Sequence, residues 1–202
     1  MTAAPDSPDY RARIAEAERR ERAVAGSIVD AVVGADAAAL SRAIREADAH
    51  GGVPRAIRML GRLPSVSSAS REVCLAVWRL EGDRLRREAG DDIALVRALR
   101  VVLPPYEGPG LRLWRGEWAL NQRHRTFGLS WTSHRETAQA FAEGHKDEAI
   151  GGMVLLEAEV CPDAIVCALA LPGQTDGVLE YLVDRRQLDD VRAVEWFRPP
   201  RR

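Results

Sequence analysis

The stretch "VLPPYEGPGLRLWRGEW", residues 102–118, is where the chain changes its period. Its paired prolines, Pro104 and Pro105, and its two glycines, Gly108 and Gly110, cannot continue a helix, so the segment divides the chain into two differently patterned halves. Upstream, apolar residues return every three or four positions; downstream the spacing moves toward two. The expected class is α+β, with a helical domain over residues 1–103 and a strand-rich domain over 104–202. The second part of the stretch, Leu111 to Trp118, reads as a strand, yet it carries Arg115 followed at once by Gly116. A strand interior disfavours glycine, and an arginine there needs an anion to face.

Working outward toward the N-terminus, "AAALSRAIREADAH" is expected as a helix capped by Asp36, with Leu40, Ile44 and Ala47 on one face and Gly51 as its stop. "VPRAIRMLGRL" gives a short helix with Ile57 and Leu60 inward and Pro64 beyond it. "SSASREVCLAVWRLEGDRLRREA" is expected to be the longest helix, burying Val73, Val77 and Leu80, and "DDIALVRALRVV" closes the set. The charged run before Ala23 reads as a solvated helix face or a frayed end.

Composition limits the function. The chain has 202 residues, 46% of them hydrophobic, enough to bury a core, and its 29 basic and 30 acidic residues leave a formal charge of -1. No global field draws it to nucleic acid or to a membrane. The near absence of lysine, with Lys146 the only one, is explained by a GC-rich coding sequence and carries no functional weight. Cys74, Cys161 and Cys167 lack CxxC spacing and a neighbouring His, which argues against a disulfide framework or a zinc site and fits a reducing cytoplasm. The charged N-terminus has no signal-peptide core, and no segment is apolar enough to span a bilayer, so no membrane partner is expected. His50, His124, His134 and His145 show neither metal spacing nor a Ser-His-Asp order, so no metal is expected.

Toward the C-terminus, "LRLWR", "GLSWT", "GMVLLEAEV", "AIVCALAL", "VLEYLVD" and "VRAVEWF" offer six strands bounded by turn formers. Between the second and third, "SHRETAQAFAEG" reads as a helix: Ser133 and Glu136 form a capping box, Ala138, Phe141 and Ala142 an apolar stripe, and Gly144 the end. "NQRHRTFG" reads as a solvated basic loop, in which Arg123 and Arg125 stand as candidate phosphate contacts.

Three pieces, Arg115-Gly116, "SWT" with Ser130 and Thr132, and Glu180 in "EYLVD", appear in this order and on these strands. Together they resemble the ADP-ribosyltransferases of the Arg-Ser-Glu class, over roughly Leu111 to Phe197. The resemblance implies a mixed two-sheet core that binds NAD as co-substrate. It implies that Arg115 contacts the NAD phosphates, that Ser130 and Thr132 open the second strand, and that Glu180 contacts the nicotinamide ribose. The implied catalytic pair is Glu180 and Ser130; the implied NAD contacts are Arg115, Gly116, Ser130, Trp131, Thr132 and Phe141.

The chemistry needs such groups. Breaking the bond between nicotinamide and ribose builds positive charge on the ribose carbon, and a carboxylate held there stabilises the transition state more than the ground state. A guanidinium matches pyrophosphate oxygens bidentately. Gly116 lets backbone approach the carboxamide, Ser130 fixes the Glu180 rotamer by a hydrogen bond, and either Trp131 or Phe141 covers the nicotinamide ring or else packs in the core.

One departure bears on the acceptor. Two residues before the catalytic Glu, where arginine-modifying members carry Glu, this chain has Val178, and Gln174 and Asp176 of "PGQTDG" are the candidates nearby to reach an acceptor. The expected activity is transfer of ADP-ribose from NAD to a macromolecule, a protein ahead of a nucleic acid, by a toxin, phage effector or anti-defence protein, with an inhibitor protein as a further partner. Its alternatives are NAD hydrolysis by the same site and a non-catalytic nucleotide-binding or interaction module. The helical domain is expected to recognise the target or a regulator.

Overall fold

The computed structural model describes residues 8–148, 151–170 and 179–198. It divides into two compact units, the first ending at Pro104 and the second starting at Pro105, between the paired prolines.

The first unit contains α1 (Pro8–Val33), α2 (Ala37–His50), α3 (Val53–Leu60), α4 (Ser68–Ala89) and α5 (Asp92–Val102). Side chains start three of them: Asp36 accepts from the Ala39 amide at 2.8 Å, Ser67 from that of Ser70 at 3.1 Å, and Asp91 from that of Ile93 at 2.8 Å. Gly51, at φ +71°, ends α2 by donating to the Ala47 carbonyl at 2.7 Å. Ile28 and Val32 of α1, Leu40 and Ile44 of α2, Ile57 and Leu60 of α3 and Leu95 and Leu99 of α5 form the core, each worth roughly 1.5–3 kcal/mol on burial. The charged part of α1 is exposed and laced by Glu16 with Arg19 and Arg20, pairs worth little in water.

Two expectations are corrected. The longest described helix is α1, with 26 residues against 22 in α4. On α4 the inward face is Cys74 and Trp78, while Leu80 is 86% exposed. The helix carries two apolar stripes one residue apart, and packing selected the one with the large indole.

The second unit has β1 (Leu111–Trp118), α6 (Ala119–His124), β2 (Ser130–Thr132), α7 (Arg135–His145), β3 (Met153–Val160), β4 (Ile165–Ala170), β5 (Leu179–Val183) and β6 (Val191–Phe197). All six strands join one antiparallel sheet in the order β4-β5-β2-β1-β3-β6, in place of the expected mixed pair of sheets. The junction is narrow. β1 runs alongside β3 over eight paired residues but meets β2 at a single pair, Trp114 with Thr132.

α7 packs on the face of β1 that carries Trp114 and Gly116, over a cluster of Ala138, Ala142, Met153, Leu155 and Phe197. Leu113, Trp131, Val154, Leu156, Tyr181 and Val183 form the cluster of the opposite face. β3, covered on both sides, has Met153 to Leu156 at 0% exposure, which its unbroken apolar run requires.

Here too the structure amends the sequence. α7 starts after His134 without a side-chain cap, the hydroxyl of Thr132 accepts from the His134 amide at 3.2 Å, and the helix runs through Gly144 to His145. The basic loop after β1 contains α6, ended by Arg125 at φ +54°. Among the described residues, no helix is long and apolar enough to cross a membrane.

Candidate active site

The strand order places the sequence-predicted residues unequally. β2 lies between β1 and β5, with Ser130 opposite Leu182, Trp131 opposite Tyr181 and Thr132 opposite Glu180. Residues paired across strands point the same way, and alternate residues of a strand share a face. Ser130, Thr132 and Glu180 therefore occupy one face, the one on which Trp114 and Gly116 lie. The register continues as a row, Glu180, Thr132, Trp114 and Glu157, across β5, β2, β1 and β3.

Glu180 and Ser130 are half-buried. Among the described residues no hydrogen bond joins them, as their diagonal register, with Cα atoms roughly 7–8 Å apart, implies. Thr132 is the hydroxyl directly opposite Glu180. Its oxygen accepts from the His134 amide, and its proton remains to be donated. By register, Thr132 and not Ser130 is the hydroxyl residue paired with Glu180.

Trp131 points to the other face. It is 1% exposed, donates from its indole nitrogen to the Gly128 carbonyl at 3.3 Å and meets Phe127 edge-on at 6.4 Å, so it serves the core and covers no ligand on the Glu180 face. Phe141 is 46% exposed on α7 and stacks on His145 at 4.3 Å. Gly116 serves the helix. A Cβ there would stand 2.6 Å from the Ala138 carbonyl oxygen and 3.0 Å from both the Ala142 nitrogen and the Phe141 ring, so the missing side chain lets α7 close on β1.

Arg115 leaves β1 on the face opposite Glu180 and reaches sideways to β2. Its Nε donates to Glu117 at 2.7 Å and its Nη1 to the Ser130 carbonyl at 2.5 Å. The guanidinium lies against Gly128, where a Cβ would fall 2.0 Å from Nη2.

Glu117, which the motif reading does not include, is 1% exposed and fully employed. Its Oε2 takes Arg115 and the Gly128 amide at 2.7 Å each, and its Oε1 takes the Trp118 amide and the Asn121 side chain at 2.9 Å each. Burial pushes its carboxyl up; the Arg115 charge and the hydrogen bonds from Arg115, Gly128 and Asn121 outweigh that and hold it below the usual carboxylate value. A Glu two residues after an Arg on a strand is a visible sign of such a pair, since both side chains leave the same face.

The row also contains two groups not anticipated as site residues. Trp114 is half-buried and donates from its indole nitrogen to Glu157 at 3.2 Å, so a ring and a second carboxylate lie on the Glu180 side of the sheet. At the other end of β2, Arg125 donates to the Leu188 carbonyl and Arg185 to the Phe127 carbonyl. Gln174, Asp176 and Val178 lie outside the described residues. Among the described residues no group of three or more His, Cys, Asp or Glu side chains gathers as a metal site.

No protein-family model, curated protein or solved structure matches the chain. The functional reading therefore stands on the geometry and on the resemblance of its motifs.

Proposed function

We propose that the second unit breaks the nicotinamide–ribose bond of NAD and transfers ADP-ribose to a macromolecule, a protein ahead of a nucleic acid. The observation that carries this is the convergence of Ser130, Thr132 and Glu180 on one face of two adjacent strands, although "SWT" and "LEY" lie far apart in sequence. In this reading β4-β5-β2 and β1-β3-β6 act as the two sheets of an ADP-ribosyltransferase-like core, hinged at the Trp114–Thr132 pair. The ribose carbon sits against Glu180, whose charge stabilises the developing cation. Both bonding electrons leave with the nicotinamide ring nitrogen, and an acceptor heteroatom bonds to the ribose carbon and releases its proton. Arg115 leaves β1 on the opposite face, with Nε and Nη1 engaged within the protein, so the reading rests on Ser130, Thr132 and Glu180 without it.

The test incubates the purified chain with labelled NAD and a lysate. Label should enter a macromolecule, and Glu180→Gln should lower the rate by 100-fold or more on the order expected for losing a transition-state charge. Undiminished labelling by that variant rules the mechanism out. Water as acceptor is the second reading, favoured by Val178, whose apolar side chain cannot orient an acceptor nitrogen. The ratio of free to attached ADP-ribose separates the two. Calorimetry with NAD that shows no heat would sink both and leave an interaction module.

A further inference from the structure

We propose that the helical unit binds a small apolar molecule, the size of one aromatic ring or a short alkyl chain, inside its core. A cavity of about 80 Å³, partly open to solvent, lies there, walled by all five helices, with Val32, Ile44, Ile57, Trp78 and Leu99 among its lining side chains. Protein interiors pack as densely as organic crystals, and voids larger than a water molecule are few. A single water needs roughly 10–15 Å³ of such space, together with two to four polar partners. This cavity has several times the room and none of the partners. Its seventeen lining residues are all apolar or weakly polar, with the Trp78 indole and the Cys74 thiol as the nearest to hydrogen-bonding groups. Burial pushes the Cys74 thiol up to about 11, so the wall is uncharged at neutral pH. Water is excluded on chemical grounds and an ion on electrostatic ones.

The void has a sequence origin. The inward row of α4 runs Cys74, Trp78, Gly82 and Leu85. At Gly82 a Cβ would stand 2.9 Å from Trp78 Cε2, so the indole lies where a side chain at 82 would project. One flat ring therefore does the filling of two side chains, and Leu85, next along, is only half-buried. Across the gap stand the β-branched residues Val32, Ile44 and Ile57, whose first torsion is restricted. The helix keeps a glycine in its interior, about 1 kcal/mol worse than alanine, to preserve this arrangement.

The proposal is independent of NAD chemistry and is tested on the full chain with benzene and xenon as probes. Benzene at 100 times its dissociation constant should shift the unfolding equilibrium of the helical unit about 100-fold toward the folded state. Emission from Trp78, identified by subtraction of Trp78→Phe, should change with the same saturation curve, and xenon should give a bound signal in ¹²⁹Xe NMR. Ala98→Leu, which adds methyl groups into the cavity from α5, should abolish all three responses while the fold persists. Ala56→Val, a smaller filling from α3, serves if the leucine variant does not fold. Absence of benzene and xenon binding by the natural chain, or equal binding by a folded filled variant, overturns the proposal.

Discussion

Replacing Glu117 by glutamine tests whether the Arg115–Glu117 pair holds the sheet together. The glutamine amide cannot take the place of both carboxylate oxygens: if its oxygen faces Trp118 and Asn121, its NH₂ faces the Arg115 and Gly128 donors, and the converse is no better. Either orientation leaves buried donors unpaired, and the Arg115 guanidinium, with its side chain 19% exposed, loses its counter-charge. Breaking a buried pair by removing one partner costs about 3–5 kcal/mol, and the partial exposure of Arg115 argues for the lower end. For a domain the size of this unit, about 3 kcal/mol lowers Tm by roughly 12–24 °C. Tryptophan fluorescence reads the transition, since in a Trp78→Phe background every remaining indole, at 114, 118, 131 and 196, belongs to the second unit. The pH dependence supplies a second arm. Because the folded Glu117 carboxyl lies below its ordinary value of 4.5, its contribution is present above that pH and is lost as pH falls through the lower folded value. The gap between natural protein and variant should therefore narrow in acid. A shift smaller than the ~4 °C produced by 1 kcal/mol, or a gap unchanged in acid, refutes the reasoning.

The same contacts predict three further outcomes. Gly116→Ala should force α7 off β1, because the new methyl meets backbone at 2.6 Å, and overpacking of this kind costs about 1–3 kcal/mol of stability, read as a lower urea midpoint. Gly128→Ala should expel the Arg115 guanidinium from the Ser130 carbonyl, and its effect should be less than additive with Glu117→Gln in a double-mutant cycle, since both break one contact set. Iodoacetamide at pH 8 should label exposed Cys161 and spare Cys74, whose thiol is pushed up to about 11, until the chain unfolds; peptide mapping reads the difference.

The fold was legible where local chemistry decides it. Asp36 and Gly51 bound α2 as their side chain and backbone freedom dictate, Ile57 and Leu60 point inward, and the paired prolines mark the boundary between the units. It was illegible where tertiary contacts choose between equal local options. Ser133 and Glu136 spelled a capping box, but α7 starts after His134 without a side-chain cap, and the Thr132 hydroxyl closes a local turn onto the His134 amide instead. Sheet topology was likewise not legible. Period-two segments announce strands but not which strand accepts which, and three residues of β2 suffice to join all six into one sheet.

The site shows why a contiguous motif can mislead. Strand alternation sends consecutive residues to opposite faces, so "WRGE" does not make one surface. Trp114 faces the row that holds Thr132 and Glu180, Gly116 lies beneath α7 on that same side, and Arg115 and Glu117 leave from the other. The sheet itself dictates the duty of Arg115 and Glu117 there. Once β1 parts from β2 after a single pair, backbone groups of β2 on that side lose their ladder partners, and a buried unpaired amide or carbonyl is costly. The Ser130 carbonyl requires a donor and the Gly128 amide an acceptor; an Arg and a Glu two residues apart on β1 supply one of each from the same face. The glycine at 128 then leaves room for the guanidinium. A strand arginine needs an anion, and in this protein the nearest one is a carboxylate of its own strand. Glu117→Gln is thus predicted to lower stability, whereas Glu180→Gln should leave stability unchanged and, under the proposed reaction, slow turnover.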